Sequence, residues 1–218
     1  MKRPRMLVPA CLILTALALP GQAIAQDASP PAGAAQSAGV QCATEPRDVD
    51  ELVALWFDEA GNPAATPTMN VQAVDVSSLP QGEPADEATL TEIDQTTREW
   101  IACFVLGAQY ARGFNLMTTE LAAMFGPDIA SPNEDTPDEV RALLEAQLAG
   151  TPIPGDEMTG VTPEIEGPTD ARMLPDGRVG AIWSLDGDRL FIFYEQQDGR
   201  WLLDDFLDIQ DTGVTPTS

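Results

Sequence analysis

Apolar side chains recur every three or four residues through the middle of this chain and every second residue near its end, so helices precede strands. From Asp48 to Ala60, Val49, Leu52, Val53, Trp56 and Phe57 make one helical stripe, and Asp48 with Glu51 resembles a capping box. Gly61 and Pro63 stop that helix. Thr89–Leu106 carries the strongest period, through Leu90, Ile93, Thr97, Trp100, Ile101, Phe104 and Val105, and Thr89 with Glu92 supplies its start. Gln109–Phe125 is a further helical stretch, with Gly113 as its expected break and Gly126-Pro127 as its end. Thr136–Ala149 is the last helix, with Thr136 at the N-cap, Pro137 at the first position and Glu139 at the third. The Pro- and Thr-rich stretch 62–84 predicts irregular chain with a short strand within 71–77.

The period then changes to two. Asp176-Gly177, Asp186-Gly187 and Asp198-Gly199 are hairpin signals, and between and after them lie apolar segments at 178–184, 189–195 and 200–209. A strand at 169–174 completes the expected meander. Helices first and strands last predicts an α+β fold, with helices packed on a curved antiparallel sheet. On the strand 189–195, Phe191 and Phe193 take one face and Leu190, Ile192 and Tyr194 the other, so both faces are apolar and the strand is central. On the last strand, alternation places Trp201, Leu203, Asp205, Leu207 and Ile209 on one face and Leu202, Asp204, Phe206 and Asp208 on the other.

The first 25 residues read differently. Lys2, Arg3 and Arg5 precede an apolar run to Leu19 and an Ala23-Ile24-Ala25 cleavage pattern, the layout of an export signal. The expected organisation is therefore a signal peptide at 1–25, a flexible linker at 26–41, an N-terminal helix and arm at 42–84, a folded domain at 85–211 and a tail at 212–218. The alternative is an uncleaved N-terminal anchor. Within the domain, 126–167 reads as an insert.

Charge sharpens this picture. The 218 residues carry 35 acidic and 11 basic side chains, a net charge of −24, with no histidine. Losing three basic residues with the signal takes −24 to −27 and removes the only lysine, Lys2. Such acidity argues against nucleic acid and anionic membrane surfaces as partners. It suits a solubility role or adaptation to salt. Without histidine the chain cannot build Ser-His-Asp or Cys-His nucleophile systems, or imidazole metal sites. The acidic residues Asp156, Glu157, Glu164, Glu166 and Asp170 lack calcium-loop spacing and read as a solvated loop, so no metal and no cofactor are expected. Cys42 and Cys103 remain after cleavage. In an oxidising compartment an isolated pair without C-x-x-C spacing predicts a structural disulfide, with a redox pair or two buried free thiols as the alternatives.

The segments Arg98-Glu99-Trp100-Ile101-Ala102-Cys103 and Tyr110-Ala111-Arg112-Gly113-Phe114, followed by a meander ending Gly199-Arg200-Trp201-Leu202-Leu203-Asp204, resemble the nuclear transport factor 2-like superfamily, also called SnoaL-like. With Cys42-Ala-Thr-Glu-Pro-Arg47 ahead of the domain, the arrangement also resembles uncharacterised secreted proteins of high-GC bacteria such as Thermomicrobia. The resemblance covers about Ala85 to Asp208. It implies a cone of curved sheet around helices with an apolar pocket, and the insert could cover the cone mouth. It implies no one activity, because this fold hosts enzymes, binders and dimerisation modules.

Candidate chemistry follows from both readings. Trp100, Phe104, Phe114, Trp183, Phe191, Phe193 and Trp201 are pocket candidates, with packing in a core as the alternative use of the same aromatics. Asp205, placed among apolar neighbours, is the candidate base, with Tyr110 or Tyr194 as its partner. The alternative is an ordinary carboxylate that faces solvent or an arginine. The function expected first is a secreted, non-enzymatic domain that binds a small apolar ligand or a protein, or forms a homodimer through the sheet face. The alternatives are a carboxylate- and tyrosine-dependent isomerase, cyclase or hydrolase, and a salt-adapted acidic surface protein.

Overall fold

The computed structural model describes residues 41–64, 71–130, 136–150 and 163–210. The expected export signal, most of the linker, the tail and part of the insert lie outside the described residues. Five helices are described: α1 (Val49–Trp56), α2 (Glu87–Trp100), α3 (Tyr110–Phe114), α4 (Thr119–Ala130) and α5 (Pro137–Leu148). The strands are β1 (Gln72–Val74), β2 (Glu83–Pro84), β3 (Ile165–Met173), β4 (Val179–Leu185), β5 (Asp188–Gln197) and β6 (Arg200–Ile209). The class is α+β, as the periodicity predicts.

Side-chain caps explain where several helices begin and end. Asp48 accepts the Glu51 N–H at 3.0 Å and starts α1. That helix stops at Trp56, four residues before the expected end, because the Asp58 carboxylate takes the N–H groups of Ala60 and Asn62 at 2.9 and 2.8 Å. Asp86, not Thr89, starts α2 by accepting the Thr89 N–H at 2.8 Å. The expected continuous helix to Leu106 changes at Ile101, where Ile101–Leu106 winds as a π-helix. The capping box on Thr136 and Glu139 is present at α5.

The expected break at Gly113 falls within one residue of it, and the expected stop at Gly126 does not occur. Gly113 lies within α3, where a Cβ would sit 2.7 Å from the Phe104 ring, and the chain leaves the helix only after Phe114. Gly126 does not end α4, which runs on through Pro127 to Ala130. A Cβ at Gly126 would lie 2.0 Å from the Trp56 indole, whose N–H donates to the Ala122 carbonyl at 3.0 Å. That glycine lets α1 and α4 approach.

The six strands form one open sheet in the order β1-β6-β5-β4-β3-β2. The expected antiparallel sheet is mixed, because β1 lies parallel to β6 with Gln72 opposite Leu207 and Val74 opposite Ile209. Asp186-Gly187 and Asp198-Gly199 both take positive φ (52° and 91°, 51° and 78°) and close two-residue hairpins. The helices cover one face of the sheet, against Trp183, Ile192, Tyr194, Trp201, Leu203 and Phe206. The other face carries Ile182, Phe191, Phe193 and Ile209, and the arm before α2 packs on it through Val74 and Leu79. The two-faced burial read for β5 is therefore present.

The last strand departs from simple alternation. Phe193 pairs with Asp205, but the next residue, Tyr194, pairs with Leu203, so Asp204 is an extra residue in β6. This bulge reverses the faces beyond it. Trp201 and Leu203 face the helices as expected, but Phe206 now joins them, and Leu207 and Ile209 turn to the opposite face.

Cys42 and Cys103 form the disulfide, with Cα atoms 4.6 Å apart. It ties the chain ahead of α1 to the π-helix. Around it, Arg47 N–H donates to the Ala111 carbonyl at 2.9 Å, and Arg112 Nη1 donates to the Thr44 carbonyl at 2.5 Å.

Candidate functional site

The aromatic candidates are divided between two faces and used in packing. Phe104 contacts Trp100, Tyr110, Phe114 and Phe125, with ring centroids 5.6, 5.0, 5.3 and 5.5 Å apart. It joins the π-helix to α3 and α4. Trp183 and Phe114 are wholly buried in the same helix-side cluster. Phe191 and Phe193 stack edge to face at 5.1 Å on the opposite side of the sheet, so they share no pocket with the others.

The candidate acid–base set is not brought together. Asp205 is exposed, shares the Phe193 side of the sheet, and accepts the Phe206 N–H at 2.8 Å. Tyr194 points the other way and is wholly buried, its hydroxyl 2.5 Å from that of Thr97. Burial pushes the Tyr194 phenol well above its ordinary pKa, and the Thr97 bond opposes that shift without cancelling it. Tyr110 lies against Phe104, and its backbone N–H donates to Gln147 at 3.3 Å. The apolar setting expected for Asp205 is lost because the bulge at Asp204 redirects the strand.

Asp204 is the carboxylate that the fold engages. Its oxygens accept from Thr118 Oγ1 at 3.2 Å and Arg178 Nη1 at 2.9 Å. Arg178 also pairs with Asp176 at 2.9 Å and lies 4.6 Å from the centre of the Phe193 ring. Thr118 in turn accepts the Leu121 N–H at 3.3 Å in the first turn of α4. The cluster holds the bulge, the β3–β4 connection and α4 together, and both Asp204 oxygens are occupied by protein donors.

A cleft of about 200 Å³ opens beside this framework. One wall is a polar stripe of α2, made of Glu92, Gln95, Thr96 and Glu99 at helical spacing. The other is the start of β6, Arg200 to Leu202, with Thr44 of the disulfide-tethered arm at the rim. Leu116, Trp201 and Leu202, all nearly buried, supply apolar surface. Thr96 Oγ1 donates to the Trp201 carbonyl at 3.0 Å and joins the two walls. Glu99 accepts the Ala43 N–H at 3.3 Å and joins the rim to α2. Glu92 and Arg200 are exposed, and neither side chain makes an ion pair or hydrogen bond among the described residues.

Two other clefts are present. One of about 720 Å³ lies between α1 and α5, where Arg141 bridges Asp50 at 2.8 Å and Asp138 at 2.7 Å. The other, of about 300 Å³, is mostly polar and shares Arg200 and Leu202 with the first. Trp201 is the single pocket candidate from the sequence that lines any of the three. The cleft residues on α2 were legible as a polar stripe beside the apolar one, and Arg200 as the basic residue after a hairpin turn. Among the described residues, no group of three or more Cys, Asp or Glu is placed to hold a metal ion, and no helix is long and apolar enough to cross a membrane.

No family model, curated protein or solved structure matches this chain.

Proposed function

We propose that this is an exported, non-enzymatic binding domain of the nuclear transport factor 2-like kind, and that it binds through the α2–β6 cleft. One observation carries the reading. The aromatic residues that a ligand-holding cone would present to its interior are packed against one another, while a separate, walled cleft keeps two charged groups unengaged. The disulfide supports export, since such bonds persist in oxidising compartments. Asp205 and Tyr194 lie on opposite faces of the sheet, which weighs against catalysis by that pair. On the Phe191–Phe193 face, the chain's own arm occupies surface that a sheet-face dimer would need.

The experiment is a titration of labelled protein with a mixture of fragment-sized solutes, followed by amide chemical shifts. The reading expects changes clustered at 92–99 and 200–202. Changes centred on Trp183, Tyr194 and Phe114 would instead return binding to the interior and overturn it.

A further inference from the structure

We infer that the α2–β6 cleft takes a small zwitterion with an apolar body, of the class of a free aliphatic α-amino acid. This deepens the binding reading above and rests on it. Three features of the cleft select that chemistry together. Arg200, at the tip of the β5–β6 hairpin, offers a guanidinium without an intramolecular partner among the described residues. Guanidinium forks match carboxylates. Across the cleft Glu92 and Glu99 offer carboxylates suited to an ammonium group. Between them, Leu116, Trp201 and Leu202 supply an apolar surface for a short side chain.

Charge excludes the simpler ligands. A free anion would meet Arg200 but would be repelled by two nearby carboxylates and by a chain of net charge −24. A free cation would be drawn to Glu92 and Glu99 but would be repelled by Arg200. A zwitterion engages both walls and carries no net charge into the acidic field. The cleft volume of about 200 Å³ holds a molecule of that size. The Thr96–Trp201 bond and the disulfide-anchored rim brace the backbone of the walls that carry these charges.

The test is calorimetric titration of the full chain with L-leucine, 4-methylpentanoate and isoamylamine, three molecules of similar body and different charge. Leucine should bind at least tenfold more tightly than either single-charge analogue. Arg200→Gln should weaken leucine at least tenfold and leave the amine unaffected, and Glu92→Gln should weaken leucine and the amine together. Both residues are exposed, so an unchanged melting temperature certifies that each variant folds. If an analogue binds as tightly as leucine with shifts at 92–99 and 200–202, the zwitterion assignment is wrong and the cleft reading stands. If leucine binds but Arg200→Gln leaves its affinity unchanged, the assignment is likewise wrong. If none of the three binds, the assignment is overturned here, and the fragment titration decides whether the cleft reading falls with it.

Discussion

Thr96 and Trp201 are separated by more than a hundred positions in the chain, yet the Thr96 hydroxyl donates to the Trp201 carbonyl at 3.0 Å. The bond joins the polar side of α2 to the first residues of β6 and closes the floor of the cleft. Thr96→Val keeps the shape and removes the donor. The expected loss is about 1 kcal/mol of stability, the usual net worth of such a bond. Denaturant unfolding measures it, and a variant as stable as the parent would show that the bond does not brace the cleft.

Gly126 and Trp56 give a steric prediction. A Cβ at Gly126 would meet the indole at 2.0 Å, and the indole is fixed by its bond to the Ala122 carbonyl. Although alanine is the better helix former, Gly126→Ala should destabilise the protein by roughly 1–3 kcal/mol, the range for an overfilled core. Urea unfolding decides the sign. A stabilised variant would mean that α1 and α4 separate without cost.

The periodicity carried much of the fold because most elements announce themselves locally. Val140, Leu144 and the Thr136–Glu139 box mark α5 from sequence alone, and Asp186-Gly187 and Asp198-Gly199 mark two hairpins. Non-local features were not legible. The parallel pairing of β1 with β6 depends on where a three-residue segment docks against a strand from the far end of the chain. The extra residue at Asp204 is fixed by Thr118 and Arg178, both distant in sequence, and it moves Asp205 out of the apolar setting that alternation assigned to it. The cleft was hidden for a related reason. Glu92, Gln95, Thr96 and Glu99 have the pattern of any solvated helix face, and only Arg200 and Leu202 arriving from the far end of the chain make that face one side of a site.

The Cys42–Cys103 bond spans 61 residues of sequence. The loop-closure model assigns about 4 kcal/mol to a loop of this length. Replacing both cysteines with serine should lower stability by up to that amount. Thermal unfolding with and without reductant provides the measurement, and identical midpoints would contradict a stapling role.

Asp86 gives a pH prediction. Its bonds to the Thr89 backbone and hydroxyl hold its pKa below the ordinary value of 3.8. A depressed folded-state pKa adds stability above the unfolded value, and that contribution is lost as pH falls through the folded one. Asp86→Asn keeps a capping oxygen but cannot titrate. The parent should therefore lose more stability than the variant as pH drops below about 4. Parallel slopes for the two proteins across that window would show that Asp86 makes no ionised cap.

The most direct measurement of the account is a crystal structure of the protein soaked with L-leucine. The bound molecule should lie between the Glu92–Glu99 stripe and Arg200, its carboxylate on the guanidinium and its side chain on Trp201 and Leu202. A molecule seated among Trp183, Tyr194 and Phe114, with the cleft empty, would contradict it.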